Sequence, residues 1–165
     1  DLVNVNYNVL KNIKGIGEVK AITILCAIEF GKRVLSKKDL INQITNSYDV
    51  YLLVKDEMTN QLQEKLLAIF LDNRKYIIMK KVIFIGTVNE SGIYLRDVFR
   101  EAVKCNACSF ILVHNHPTGS VNPSMQDVYM TNSFIKMGKI LGIYLLDHLI
   151  IGNDNYYSFK ESNGE

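Results

Sequence analysis

The feature that most constrains this chain is a change of character at residue 113. Four apolar residues, Phe110 to Val113, run on from Ser109 and give way to His114-Asn115-His116-Pro117. A short apolar run of this kind reads as a buried strand. Pro117 and Gly119 then turn the chain. Pro123 suits the first turn of a helix with Asp127 just inside it, and Ser124-x-x-Asp127 has the spacing of a capping box. The segment therefore predicts a strand, a tight turn and a helix, with two histidines where the strand ends.

Side chains at i and i+2 of a strand share a face, so the imidazoles of His114 and His116 can reach one metal ion. Asp127 offers a carboxylate as third ligand. Two nitrogens and one oxygen leave a fourth tetrahedral position for water, which is how a catalytic zinc is held rather than a closed structural one. Each part also has an ordinary explanation. His-x-His alone is a weak signal, and Ser124-x-x-Asp127 is how many helices begin. Their occurrence within one short segment is what points to a metal.

The rest of the chain divides in two. Val9, Leu10 and Ile13 line a short amphipathic turn, Gly15-Ile16-Gly17 interrupts it, and Val19 to Phe30 resumes at helical spacing. Ser36 to Asp39 resembles a capping box, and Tyr48 to Met58 reads as another helix. From residue 64 the pattern changes. Leu66–Leu71, Tyr76–Met79, Val82–Gly86, Ser109–Val113 and Ile143–Ile151 read as strands; Leu95–Lys104 and Pro123–Lys139 read as helices, the second stopped near Gly142. This order predicts a small helical unit over 1–55 and an α/β layered domain over 56–165.

Composition excludes several classes. At 165 residues, 48% hydrophobic and 22% charged, the chain is long and apolar enough for a buried core. No apolar run approaches membrane-spanning length, so no membrane partner is expected. The sequence opens on Asp1 rather than Met with no secretory leader, and a longer parent chain is expected. The net charge of +2 is too small to argue for a polyanion partner. Residues 1–40 nevertheless carry seven basic against four acidic side chains, so any such attraction belongs to that end. The cysteines, Cys26, Cys105 and Cys108, are odd in number and fit a reducing cytoplasm better than a disulfide framework. Cys105 and Cys108 read as packing residues between helix and strand.

The segment from His114 to Asp127 resembles the JAMM motif of the JAB/MPN metalloproteases: His-x-His, seven residues beginning with Pro117, then Ser-x-x-Asp. Its wording, His114-Asn115-His116-Pro117-Thr118-Gly119 with Pro123-Ser124 and Asp127, is similar to the RadC branch. Gly86-Thr87, Arg96-Asp97-Val98-Phe99 with Glu101-Ala102, and Leu146-Asp147-His148-Leu149-Ile150 extend the resemblance over nearly the whole chain. Tyr94-Leu95 stands where that branch usually carries His-Pro. The resemblance implies a JAB/MPN fold, cytidine-deaminase-like and layered α-β-α. It also implies Zn2+ on His114, His116 and Asp127 and hydrolysis of a peptide or isopeptide bond in an unknown protein substrate. Glu64 would correspond to the upstream glutamate that takes a proton from metal-activated water, and Ser124 to the hydroxyl that supports the anionic intermediate. A link to DNA repair comes from the resemblance alone.

Zinc nucleobase deaminases, by contrast, use His-x-Glu with a later Pro-Cys-x-x-Cys. Here residue 116 is His, and Cys105 and Cys108 lie upstream. At the other end, Ile13-Lys14-Gly15-Ile16-Gly17 with Lys20 resembles a helix-hairpin-helix motif. Such a hairpin lets the backbone at Gly15 and Gly17 approach DNA phosphates without reading bases, with Lys14 and Lys20 adding charge. The alternative to an enzyme is a binding module that uses this hairpin and the MPN fold for DNA or partner contacts.

Overall fold

The computed structural model describes residues 6–35, 41–86, 91–162 and 164. The capping box expected at Ser36 to Asp39 lies outside them, as does Thr87. The chain forms two compact units, one up to residue 40 and one from residue 41.

In the first unit α1 (Tyr7–Lys11) and α2 (Glu18–Leu35) form a helical hairpin. The Asn6 side chain caps α1 by accepting from Val9 N at 3.0 Å. Gly15 turns the chain at φ +92°, a region that favours glycine. Leu10 and Ala21 are buried.

The second unit is a five-stranded sheet in the order β2-β1-β3-β4-β5. Its strands are β1 (Lys65–Leu71), β2 (Ile77–Ile85), β3 (Ser109–Asn115), β4 (Tyr144–Ile151) and β5 (Tyr156–Ser158). β1 runs antiparallel to both neighbours, and β3 and β4 are parallel. The helices are α3 (Ser47–Met58), α4 (Ser91–Lys104), α5 (Met125–Leu141) and the single turn α6 (Phe159–Ser162). β1 and β3 are buried on both faces, which is why their sequences are continuous apolar runs rather than alternating ones. Leu66, Ala68, Phe70, Phe110 and Leu112 pack with Val98 and Phe99 of α4 and Met130 and Phe134 of α5. Leu67, Ile69, Leu71, Ile111 and Val113 pack on the other face with Val50, Leu53, Val54 and Met58 of α3. The α-β-α layering expected for a JAB/MPN domain is thus present.

Three expectations differ in detail. The division drawn between 55 and 56 falls inside α3, because the buried stripe of that helix belongs to the core of the sheet. Tyr76–Met79 and Val82–Gly86 are one strand. The adjacent lysines that seemed to divide them point to opposite faces: Lys80 pairs with Glu57 of α3 at 2.6 Å and Lys81 with Glu101 of α4 at 2.7 Å. Pro123 precedes α5, whose N-cap is Ser124. The short strand β5 is an addition to the expected set. All three cysteines are free; Cys105 packs against the core and Cys108 is exposed. No helix among the described residues is long and apolar enough to cross a membrane.

Candidate metal centre

The register of the central strands assembles the site. β1 and β3 are antiparallel with Leu66 opposite His114, so two residues further out Glu64 comes opposite His116. Residues 64, 114 and 116 then share the face that carries α5. The turn after β3 returns the chain to the start of α5, where Ser124 and Asp127 form a reciprocal capping box. Ser124 N donates to Asp127 Oδ2 at 2.7 Å and Asp127 N donates to Ser124 Oγ at 3.2 Å. The capping and the metal readings of Ser124-x-x-Asp127 therefore describe one arrangement: the cap aims the Asp127 carboxylate at the end of the sheet.

There Nε2 of His114 and Nε2 of His116 face each other at 3.0 Å. Asp127 Oδ1 lies 3.2 Å from the first and Oδ2 3.5 Å from the second. A ligand atom of Glu64 lies within 4.8 Å of those of both histidines. Of the five residues assigned to the site in the second unit, His114 and His116 thus meet Asp127 through its two oxygens and form a close group with Glu64. The fifth, Ser124, donates its hydroxyl to Asp127 Oδ2 at 2.7 Å.

The electrostatics follow from this crowding. Burial pushes the Asp127 carboxyl up, but its contacts with His114 and His116 and the Ser124 hydroxyl outweigh it and hold the group far below the usual carboxylate range. The bond to Asp127 raises His116, against the effect of burial. Burial raises Glu64, opposed by the two histidines and reinforced by Asp127. Two imidazole nitrogens 3.0 Å apart, each with a carboxylate close by, call for a positive charge among them. This donor set fits a divalent cation.

Several residues support the ligands without having been predicted. Asn115 is 2% exposed. Its Oδ1 accepts from Lys65 N at 2.9 Å and its Nδ2 donates to Gln63 O at 3.2 Å, so it holds the peptide groups on both sides of Glu64. Gly86 N donates to the Glu64 carbonyl at 2.9 Å. His116 Nδ1 meets Ser120 O at 2.9 Å. His148 of β4 is fully buried; its Nε2 lies 2.8 Å from His114 Nδ1 and its Nδ1 lies 2.7 Å from Thr131 Oγ1. Burial, and then the neighbouring His114, push His148 well below the ordinary histidine value. A cleft of about 350 Å³, lined in part by Thr59, Asn60, Gln61 and Asn153, reaches His116.

The residues named for DNA lie in the other unit. Gly15, Gly17, Lys14 and Lys20 are exposed. Lys20 Nζ donates to Gly15 O at 3.2 Å, while Lys11 is paired with Glu18 at 2.7 Å.

Comparison with known proteins agrees with this fold. Residues 44–164 match the family described as RadC-like JAB domain. A UPF0758 protein of Clostridium tetani is 45% identical over 98% of this chain and 72% of its own length. The UPF0758 protein YsxA of Bacillus subtilis is 42% identical over 92% of this chain and 66% of its own length. A UPF0758 protein of Streptococcus suis is 44% identical over 93% of this chain, which spans 63% of that relative. With the sheet, the helices on both its faces and the histidine pair in place, the chain belongs to the RadC-like JAB domain family.

Proposed function

We propose that this chain is a zinc-dependent hydrolase of amide bonds, of the JAMM peptidase or isopeptidase type. The observation that carries the reading is the His114–His116 pair at the end of β1 and β3, with Asp127 and Glu64 each close to both of its ring nitrogens. His114, His116 and Asp127 would hold the metal. Two imidazoles and one carboxylate are a donor set that suits zinc and leaves a position open. Zinc bound there supplies Lewis acidity and makes water acidic near neutral pH.

The remaining work falls to the chain itself. Glu64 takes the proton from the attacking water and returns it to the leaving amine. Its raised pKa makes it a stronger base for the first step and a usable acid for the second. The Ser124 hydroxyl, which donates to Asp127 Oδ2, supplies a donor to the developing oxyanion. The cleft beside His116 gives room for an extended polypeptide. The free cysteines are compatible with a cytoplasmic setting.

The test compares Glu64→Gln with Asp127→Asn, measuring zinc content and cleavage of a fluorogenic peptide library on the same samples. Glu64→Gln is expected to keep zinc and lose about 10²–10⁴-fold in turnover; Asp127→Asn is expected to lose zinc. Full turnover in Glu64→Gln would remove Glu64 as the base, and loss of zinc from that variant would make it a ligand.

A second reading concerns the first unit, as a DNA-binding element consistent with the link to repair. It is favoured by the open backbone of the hairpin: a Cβ built on Gly15 or Gly17 meets nothing within 4 Å. Backbone contacts to phosphate would be non-specific and salt-sensitive. Equal duplex affinity for the chain and for Gly17→Glu across a salt series would leave the hairpin a structural element.

A further inference from the structure

We propose that the groove between α4 and α5 docks an acidic amphipathic helix of a partner protein. The groove lies toward the far end of α5 from Asp127, and nothing in its reading depends on a metal.

The groove has a volume of about 700 Å³, with Leu95, Phe99 and Val103 of α4 on one side and Met137 and Leu141 of α5 on the other. Phe99 is the most buried of the five, and its ring meets Phe110 edge-on at 5.4 Å and Phe134 at 5.9 Å. It belongs to the core, so the groove is formed before anything binds. Val103 is 61% exposed and Leu141 48%. Single exposed apolar side chains are ordinary, but a contiguous set rimmed by polar residues marks a docking surface.

Charge decides the occupant. Arg96, Arg100 and Lys104 also line the groove. They stand at i, i+4 and i+8 of α4, a row about 12 Å long with one cation every turn of about 6 Å. The carboxylates paired with them are Asp97 and Glu101, only 20% and 7% exposed. Lys81 also pairs with Glu101, and α5 adds the exposed Lys136 and Lys139. Six cations thus stand against two carboxylates, a surplus of four where the whole chain carries +2. A second copy meeting this face in a closed dimer would set like charge against like charge. A nucleic acid would answer the cations and leave the apolar groove unfilled. A helix with an apolar stripe and carboxylates along its flank answers both. Its stripe fills the groove as amphipathic helices do. Its carboxylates, also one turn apart, meet a row of cations whose guanidinium groups bind carboxylates through two parallel N–H bonds.

The test selects from a displayed library of amphipathic helical peptides with a varied apolar stripe, flanked by glutamate, glutamine or lysine. The baits are the full chain and Val103→Asp. Val103 and Arg96 are exposed, so substitutions there keep the fold, which circular dichroism checks. The glutamate-flanked peptides are expected to be enriched on the wild type and not on Val103→Asp. The best of them, labelled and followed by fluorescence anisotropy, should bind Val103→Asp and Arg96→Glu about tenfold more weakly than wild type. Its affinity for wild type should fall with added salt. Enrichment indifferent to the flanking charge, or undiminished binding to Val103→Asp, overturns the proposal. Equal binding by the same peptide with serine in place of its apolar stripe also overturns it, since charge alone would then suffice. A short DNA duplex that binds where no peptide is enriched, and is lost in Arg96→Glu, gives the face to nucleic acid instead. A wild-type dimer by light scattering that becomes a monomer in Val103→Asp gives it to a second copy, and that too overturns the proposal.

Discussion

Replacing Asn115 tests how the base is held in place. The residue sits between the two histidines, is 2% exposed, and spends both ends of its amide on the backbone flanking Glu64. In Asn115→Ala the Lys65 N–H loses the Asn115 acceptor at the half-buried start of β1. A buried donor left without a partner costs about 1–3 kcal/mol. The Gln63 carbonyl lies on the adjoining turn, where water can replace Nδ2, and its loss adds about 0.5–1.5 kcal/mol. The sum is about 1.5–4.5 kcal/mol, below the 5–15 kcal/mol typical of a whole domain, so the variant folds. Asn115→Leu keeps most of the bulk and separates lost hydrogen bonds from lost volume. Urea unfolding of metal-free protein with unchanged m gives the difference, and hydrogen exchange at the Lys65 amide gives the local effect. Equal losses in Ala and Leu, with Lys65 protection reduced in both, are expected. Both variants within about 0.5 kcal/mol of wild type, the usual range for neutral surface changes, would refute the role assigned to the amide.

Two further outcomes follow from the fold. Glu101 is buried against Lys81, Lys104 and Arg100, at 2.7, 3.1 and 3.3 Å, which hold its pKa at about 2 against an ordinary 4.5. Because the folded value is the lower one, its contribution is present above about pH 4.5 and is lost as pH falls toward 2. The urea midpoint of Glu101→Gln should therefore depend less on pH over that window than that of wild type. In α5 a Cβ on Gly138 would stand 2.5 Å from the Ile143 carbonyl oxygen. Gly138→Ala should destabilise by about 1–3 kcal/mol from overpacking, more than the gain of about 1 kcal/mol in helix propensity; a higher melting temperature would contradict this.

What the sequence revealed depended on how far apart the cooperating residues stand. His114, His116, Ser124 and Asp127 occupy one strand-turn-helix segment, so local periodicity was enough to group them. Glu64 lies fifty residues upstream of His114, and only the register of β1 against β3 brings it opposite His116; from sequence it required the family resemblance. The role of Asn115 was not legible because its partners are backbone atoms, which leave no mark in the sequence. Thr131 and His148 each look ordinary on their own elements, and their meeting depends on β4 lying parallel to β3. The boundary at 55 failed because an amphipathic helix has the same pattern whether it covers a sheet or other helices. The lysine pair split β2 into two apolar runs in the sequence, because each lysine's acidic partner lies on a different helix.

The central claim is that His114, His116 and Asp127 hold one zinc. It is tested most directly by elemental analysis of protein stripped of metal, reloaded with zinc and freed of excess, with wild type and His116→Ala treated together. One zinc per wild-type chain is expected, with a loss of tightly held zinc in His116→Ala and the sheet intact by circular dichroism. One equivalent retained by His116→Ala, or none held by wild type, would contradict it.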